Sequence, residues 1–137
     1  MSKVAPYLHI NGKTREAFEF YQDALGGELE IKTAKGTPMA DMMPDAPADF
    51  VMHAVLKKGD LEIMGSDMYD PSSFTPGDTV SVCVSCDTKE ELVAYFDKIA
   101  VGGDVFQEPK EEFFGWFASV TDKYGIDWMF QAESKTV

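Results

Sequence analysis

Two histidines, His9 and His53, and the strand carboxylate Glu62 are the side chains in this chain best suited to acid–base or metal chemistry. Imidazole nitrogens and carboxylate oxygens are the donors that borderline divalent ions accept. His9 shares a strand face with Tyr7 and Asn11, opposite Leu8 and Ile10, and either lines a ligand-binding surface or packs outside it. His53 stands among Val51, Ala54, Val55 and Leu56, as a binding residue or as a structural histidine bonded to a loop carbonyl. Towards the carboxy terminus, Trp116 and Trp128 cluster with Phe114, Phe117 and Phe130. Large rigid rings give small ligands much of their binding energy in apolar pockets. Core packing and a dimer interface are the competing uses of the same rings.

Other chemistries find little support. Cys83 and Cys86 have Cys-x-x-Cys spacing, but their flanks alternate like a strand, which sends the two thiols to opposite faces. A redox pair belongs at a helix start, and a structural zinc site needs a second ligand pair that is missing here. Two reduced, packed thiols are expected. Asp67 and Asp70, with Ser66 and Ser72, do not have the spacing of an EF-hand loop and read as turn-capping residues. No Ser-His-Asp order or phosphate-binding loop occurs. The Gly-Gly pairs follow helices rather than strands, against a nucleotide or S-adenosylmethionine site of Rossmann type.

The elements that must position these groups follow from pattern. Val4 to Ile10 reads as a strand ending at Asn11-Gly12, and Thr14 as the N-cap of an amphipathic helix. That helix buries Ala17, Phe20, Tyr21, Ala24 and Leu25 and stops at Gly26-Gly27. Leu29 to Thr33 is a strand. Lys35 to Asp49, with Met39, Met42 and Met43, is a loop that serves as a soft lid or as a mobile connection. Phe50 to Lys57 and Leu61 to Met64 form a hairpin, and Gly65 to Asp78 connects the halves. Thr79 to Cys86 is the next strand, and Asp87 or Thr88 caps a helix burying Leu92, Tyr95, Phe96 and Ile99. Strands at Val105 to Gln107, Phe113 to Thr121 and Asp127 to Ala132 complete the chain.

The two helical segments repeat the same parts in the same order. Thr14 to Gly27 and Thr88 to Gly103 each give a Thr, an acidic first turn, an adjacent aromatic pair, an Asp and a Gly-Gly stop. Each half is then strand, helix and three strands. The expected fold is α+β: two βαβββ modules, about 4–66 and 78–133, in one domain over residues 1–137. Their strands would form a cupped, mostly antiparallel eight-stranded sheet with the helices outside. A length of 137 residues suffices for a core without staples. Acidic residues outnumber basic ones 24 to 12, a charge of −12 that repels phosphate backbones and anionic bilayers. Neither nucleic acid nor membrane is an expected partner. No apolar run reaches spanning length and no signal peptide is recognisable, so the expected location is cytoplasmic.

The segments Pro6-Tyr-Leu-His-Ile-Asn-Gly12, Glu16-Ala17, Phe20-Tyr21 and Gly26-Gly27-Glu28 resemble the opening of the PhnB-like branch of the vicinal oxygen chelate superfamily. His53-Ala-Val-Leu, Gly59-Asp60 and Gly65-Ser-Asp67 resemble its middle, and the stretch from Phe114 to Trp128 its ending. The superfamily includes glyoxalase I, extradiol dioxygenases and bleomycin-resistance proteins. The resemblance implies paired βαβββ modules and a homodimer. It also implies a metal ligand on the first and last strand of each half, holding an ion that chelates neighbouring substrate oxygens.

Family spacing puts those positions at Pro6 or Ala5, near Glu62, at Val80 and at Met129. Only Glu62 is a suitable donor, so the expected metal set is none. The expected function is binding of a small molecule without the family metal, through His9, His53, Glu62, Trp116 and Trp128, with catalytic residues unassigned. The alternative is a divalent-metal-dependent lyase, isomerase or dioxygenase of glyoxalase type, using non-standard ligands such as His9 and Glu62. A third possibility is an interaction module whose cup is filled by its own side chains.

Overall fold

The computed structural model describes residues 2–35, 38, 49–68, 75 and 77–134. The chain divides into two compact units, Met1–Phe74 and Thr75–Val137, each with its own sheet and helix. Unit 1 runs β1 (Tyr7–Ile10), α1 (Thr14–Leu25), β2 (Glu28–Thr33), β3 (Val51–Lys58) and β4 (Leu61–Asp67). Unit 2 repeats this order with β5 (Val82–Cys86), α2 (Lys89–Ile99), β6 (Asp104–Glu112), β7 (Gly115–Thr121) and β8 (Asp127–Ala132). The α+β class and the βαβββ modules are as the sequence pattern leads one to expect. The strands are hydrogen-bonded as two four-stranded sheets, ordered β1-β4-β3-β2 and β5-β8-β7-β6. In each, the two hairpin ladders are antiparallel, while the first strand lies parallel to the last. The helix between the first and second strands carries the chain across its sheet, which no alternation pattern reveals.

Each helix packs on one face of its own sheet. In unit 1 that face is built from Leu8, Ile10, Ala54, Leu56 and Ile63, against Ala17, Phe18, Tyr21 and Leu25 of α1. In unit 2 it is Val84, Cys86, Ala118, Val120, Trp128 and Phe130, against Leu92, Phe96 and Ile99. Burying one such large aliphatic or aromatic side chain is worth about 1.5–3 kcal/mol. This stripe, rather than helix propensity, holds each short helix. Phe18, not Phe20, takes the fully buried place on α1; Phe20 is half-buried.

The repeated Gly-Gly pair has a packing reason. A Cβ on Gly27 would sit 2.6 Å from the Lys57 carbonyl oxygen, and one on Gly103 would sit 2.3 Å from that of Thr121. In both units the chain leaving the helix presses onto the end of the neighbouring hairpin, where only glycine fits. The Lys58 ammonium also reaches the Leu25 carbonyl at 3.0 Å, placing a cation at the end of α1.

Three sequence expectations need correction. Strand β4 continues past Met64 through Gly65, Ser66 and Asp67 rather than breaking into a connector. Gly65 is there because Phe18 and the Leu8 carbonyl lie 2.8 Å from where its Cβ would be. Strand β6 runs on to Glu112 through Pro109, with shifted register, which an edge strand tolerates. Thr14 is the first helical residue and not the cap: Lys13 holds the N-cap position without a side-chain bond. Among the described residues no helix is long and apolar enough to cross a membrane.

Candidate functional site

The helix-free face of the unit 1 sheet gathers most of the polar candidates. Leu8 and Ile10 are buried toward α1, so Tyr7 and His9 project from the other side of β1. His53 lies on that side by alternation with the buried Ala54 and Leu56. Val51 and Ala54 are both buried although three residues apart, a spacing that regular alternation forbids. The shift in pairing between Lys32 and Thr33 absorbs the extra residue, so that Val51 is buried as well while His53 stays on the helix-free side.

These three rings form a connected group. The Tyr7 hydroxyl and His53 Nδ1 are 3.1 Å apart. The Tyr7 and His53 rings stack with centroids 5.7 Å apart and planes 25° apart. Tyr7 also lies 5.3 Å from the His9 ring, tilted by 45°. Tyr7 remains 39% exposed, so the group is open to a ligand. With His53 in its Nε2–H tautomer, the phenol donates to Nδ1; in the other tautomer, Nδ1–H donates to the phenol oxygen. In both, Nε2 stays outside the bond and can meet a ligand. The arrangement can bind a polar group, stack a planar one and pass a proton between phenol and imidazole.

Glu62 does not join this group. It pairs with Lys3, whose hydrogen bond holds its carboxyl below the usual carboxylate range against a smaller opposing effect of burial. His9 is level with Ser66, and Glu62 lies four residues earlier on the same strand, roughly 13 Å away at strand rise. The non-standard pair His9 and Glu62 is therefore not assembled within unit 1.

The tryptophans are placed on the helix-packed side of the unit 2 sheet. Trp128 is 1% exposed, stacks on Phe130 at 6.1 Å, and donates from Nε1 to Asp122 Oδ2 at 2.9 Å. Asp122 Oδ1 also accepts from the amides of Tyr124 and Ile126, so this carboxylate shapes the β7–β8 turn. Trp116 is half-buried with the Lys89 ammonium 4.3 Å from its ring centroid. Phe113 and Phe114, by contrast, are exposed in the β6–β7 turn. Cys83 is exposed and Cys86 buried, on opposite faces as alternation requires, and both are free. Burial raises both thiols, Cys86 to about 12, with Glu91 and Asp87 adding to the effect. Neither is a thiolate at neutral pH. Met39, Met42, Met43, Asp70 and Ser72 lie outside the described residues.

The ladders also test the family's metal positions. Tyr7 pairs with Met64 as Cys83 pairs with Met129, each just before a buried first-strand residue, Leu8 or Val84. The unit 1 counterpart of Met129 is thus Met64 and not Glu62. Glu62 corresponds to Asp127, which accepts the Thr121 hydroxyl at 2.5 Å. Both last-strand positions carry thioethers, and neither Pro6, nor its ladder counterpart Val82, nor Val80 has a donor side chain. Among the described residues, no three His, Cys, Asp or Glu side chains come together closely enough to hold an ion. Among the described residues, the positions that the fold family's metal would use carry no imidazole or carboxylate.

Sequence reasoning missed two participants. Tyr7 was visible only as a neighbour of His9 on the same face, and nothing local marked it as a partner for His53. Asp67 reads as a turn residue, yet its Oδ1 accepts the Thr14 amide at 3.1 Å and its Oδ2 the Val51 amide at 2.9 Å.

Residues 2–131 match the family model described as 3-demethylubiquinone-9 3-methyltransferase. The chain belongs to that family. This PhnB-like protein is 30% identical to protein PA1353 from Pseudomonas aeruginosa, with a TM-score of 0.80 over 98% of this chain and 100% of that one. A putative 3-demethylubiquinone-9 3-methyltransferase, PhnB protein, from Bacillus cereus is 27% identical, with a TM-score of 0.76 over 96% of this chain and 99% of that one. The fosfomycin resistance protein FosX from Listeria monocytogenes shares the fold at 12% identity, with a TM-score of 0.65 over 98% and 94% of the two chains. No curated protein matches the chain. The PhnB-like protein thus has the vicinal oxygen chelate fold, as its glyoxalase, bleomycin-resistance and fosfomycin-resistance neighbours do.

Proposed function

We propose that this PhnB-like protein binds a small molecule on the helix-free face of unit 1, through Tyr7, His53 and His9, without the family metal. The observation that carries the reading is the Tyr7–His53 pair, hydrogen-bonded at 3.1 Å and stacked on an open sheet face. An exposed ring group of this kind supplies both apolar area and a directional polar contact. The donor-poor first- and last-strand positions support the metal-free part. The methyltransferase description of the family gains no support from the glycines, because Gly27 and Gly103 are taken up by backbone packing. The same proposal takes the protein as a homodimer, for which exposed Phe106, Phe113 and Phe114 supply apolar surface.

Protein purified without chelators tests this by metal analysis and native mass spectrometry. The expected result is no stoichiometric metal and a carried-over compound that is lost in Tyr7→Phe and His53→Ala. Stoichiometric zinc, nickel, iron or manganese, lost in His9→Ala or Glu62→Ala, would overturn it. A monomeric mass by light scattering would remove the dimer.

A further inference from the structure

We propose that Asp67 is the positioning residue of the Tyr7–His53 pair: one carboxylate fixes both the start of α1 and the start of β3, so that the two rings meet. This rests on the reading of that pair as the binding group. Asp67 closes β4, where its ladder partner is Ile10, the last residue of the strand bearing Tyr7 and His9. Its Oδ1 accepts the Thr14 amide, just beyond the short link that follows β1. Its Oδ2 accepts the Val51 amide, two residues before His53 and at the bulge. Strand β1 through its ladder, and β3 and the start of α1 through the carboxylate, therefore converge on this one residue of β4.

The geometry explains why such a tie is needed. The buried Ala54 and Leu56 hold the body of β3 in register, but at its entry the bulge between Val51 and His53 interrupts the ladder to β2. Drift of that entry would displace His53, the first ladder residue past the bulge, relative to Tyr7. Asp67 pins the Val51 amide at that entry and so keeps His53 within hydrogen-bonding reach of Tyr7. At the other end of the same carboxylate, α1 begins at Lys13 without a side-chain cap of its own. The negative charge sits where exposed helix amides favour it.

Asp67→Asn tests the tie, because the two amides use different oxygens and asparagine replaces one of these with an NH2 group that cannot accept. The readouts are the His53 ring nitrogen resonances and amide hydrogen exchange in unliganded full-length protein. In this variant the Val51 or Thr14 amide should exchange at least about tenfold faster, about 1.4 kcal/mol. The hydrogen-bonded His53 Nδ1 signal should also be lost. Ile63→Val, a core change on the helix side, serves as control and should leave that signal as in the wild type. An unchanged Nδ1 signal in Asp67→Asn, or an equal change in Ile63→Val, overturns the proposal. If Asp67→Asn does not fold, the wild type decides: protected Val51 and Thr14 amides support the tie, and exchange at free-peptide rates refutes it. No ligand enters these measurements, so a protein that binds nothing would sink the functional reading while leaving this tie in place.

Discussion

Helix α2 is capped by its own sequence, whereas α1 takes its cap from the far end of its module. Thr88 Oγ1 accepts the Glu91 amide at 3.1 Å, and Glu91 returns the favour to the Asp87 amide at 3.1 Å. In unit 1 the equivalent service comes from Asp67, fifty-three residues away from Thr14. The sheets differ in parallel fashion. The helix-free positions that hold Tyr7 and His9 in β1 hold Cys83 and Ser85 in β5, and Ser85 is tied to Gln131 at 2.9 Å. The position of His53 in β3 corresponds by ladder to Phe117 in β7. The cores exchange volume as well. Phe18 of α1 lies over Gly65, while the counterpart positions in unit 2 are Val93 and Phe130. One backbone plan thus supports a polar ring group in one unit and a plainly packed sheet in the other. The unit bearing the ring group is the one whose helix is tied to its strands by a distant carboxylate.

Variants at matched positions break this comparison in order of size. Asp67→Ala removes two bonds to a charged acceptor, each worth about 1.5–3 kcal/mol. A loss of roughly 3 kcal/mol or more is expected in urea denaturation. Gly65→Ala pushes a methyl group onto Phe18 and the Leu8 carbonyl, and overpacking of this kind costs about 1–3 kcal/mol. The same assay reads it. Thr88→Ala loses only a local cap, about 1 kcal/mol. A larger effect for Thr88→Ala than for Asp67→Ala would reverse the contrast between the two helix starts.

The smallest effect concerns pH. The Glu62 carboxyl is lowered from 4.5 chiefly by Lys3, so its folded value lies below the unfolded one. Whatever the pair contributes is therefore complete above pH 4.5 and is lost as pH falls through the lowered value. Lys3→Met should raise the Glu62 carboxyl toward 4.5 in an NMR titration, and salt should weaken the wild-type shift. A Glu62 value indifferent to Lys3 would free that carboxylate for other chemistry.

The fold was readable from sequence where physical signals are local. Helix stops at Gly26 and Gly102, the opposite faces of Cys83 and Cys86, and the duplicated order of elements all follow from short-range pattern. The misses share a cause. Gly65-Ser66-Asp67 looks like a turn, yet a helix residue forty-seven positions earlier, Phe18, dictates the glycine. The three-residue spacing of Val51 and Ala54 hides a bulge at the entry to β3, just before His53. Of the site, His9 and His53 stood out as rare titratable residues, while Tyr7 and Asp67 acquire their roles only through partners distant in sequence. Around Trp128 the sequence leaves two uses open, because rings that fill a core and rings that line a pocket have the same composition.

Chemical-shift mapping with a fragment library, on protein held in excess chelator, reaches the heart of the account. The expected outcome is saturable shifts centred on Tyr7, His9 and His53 and abolished by His53→Ala, with Cys83 and Ser85 undisturbed. Shifts confined to unit 2, or binding that appears only when a divalent ion is restored, would contradict it.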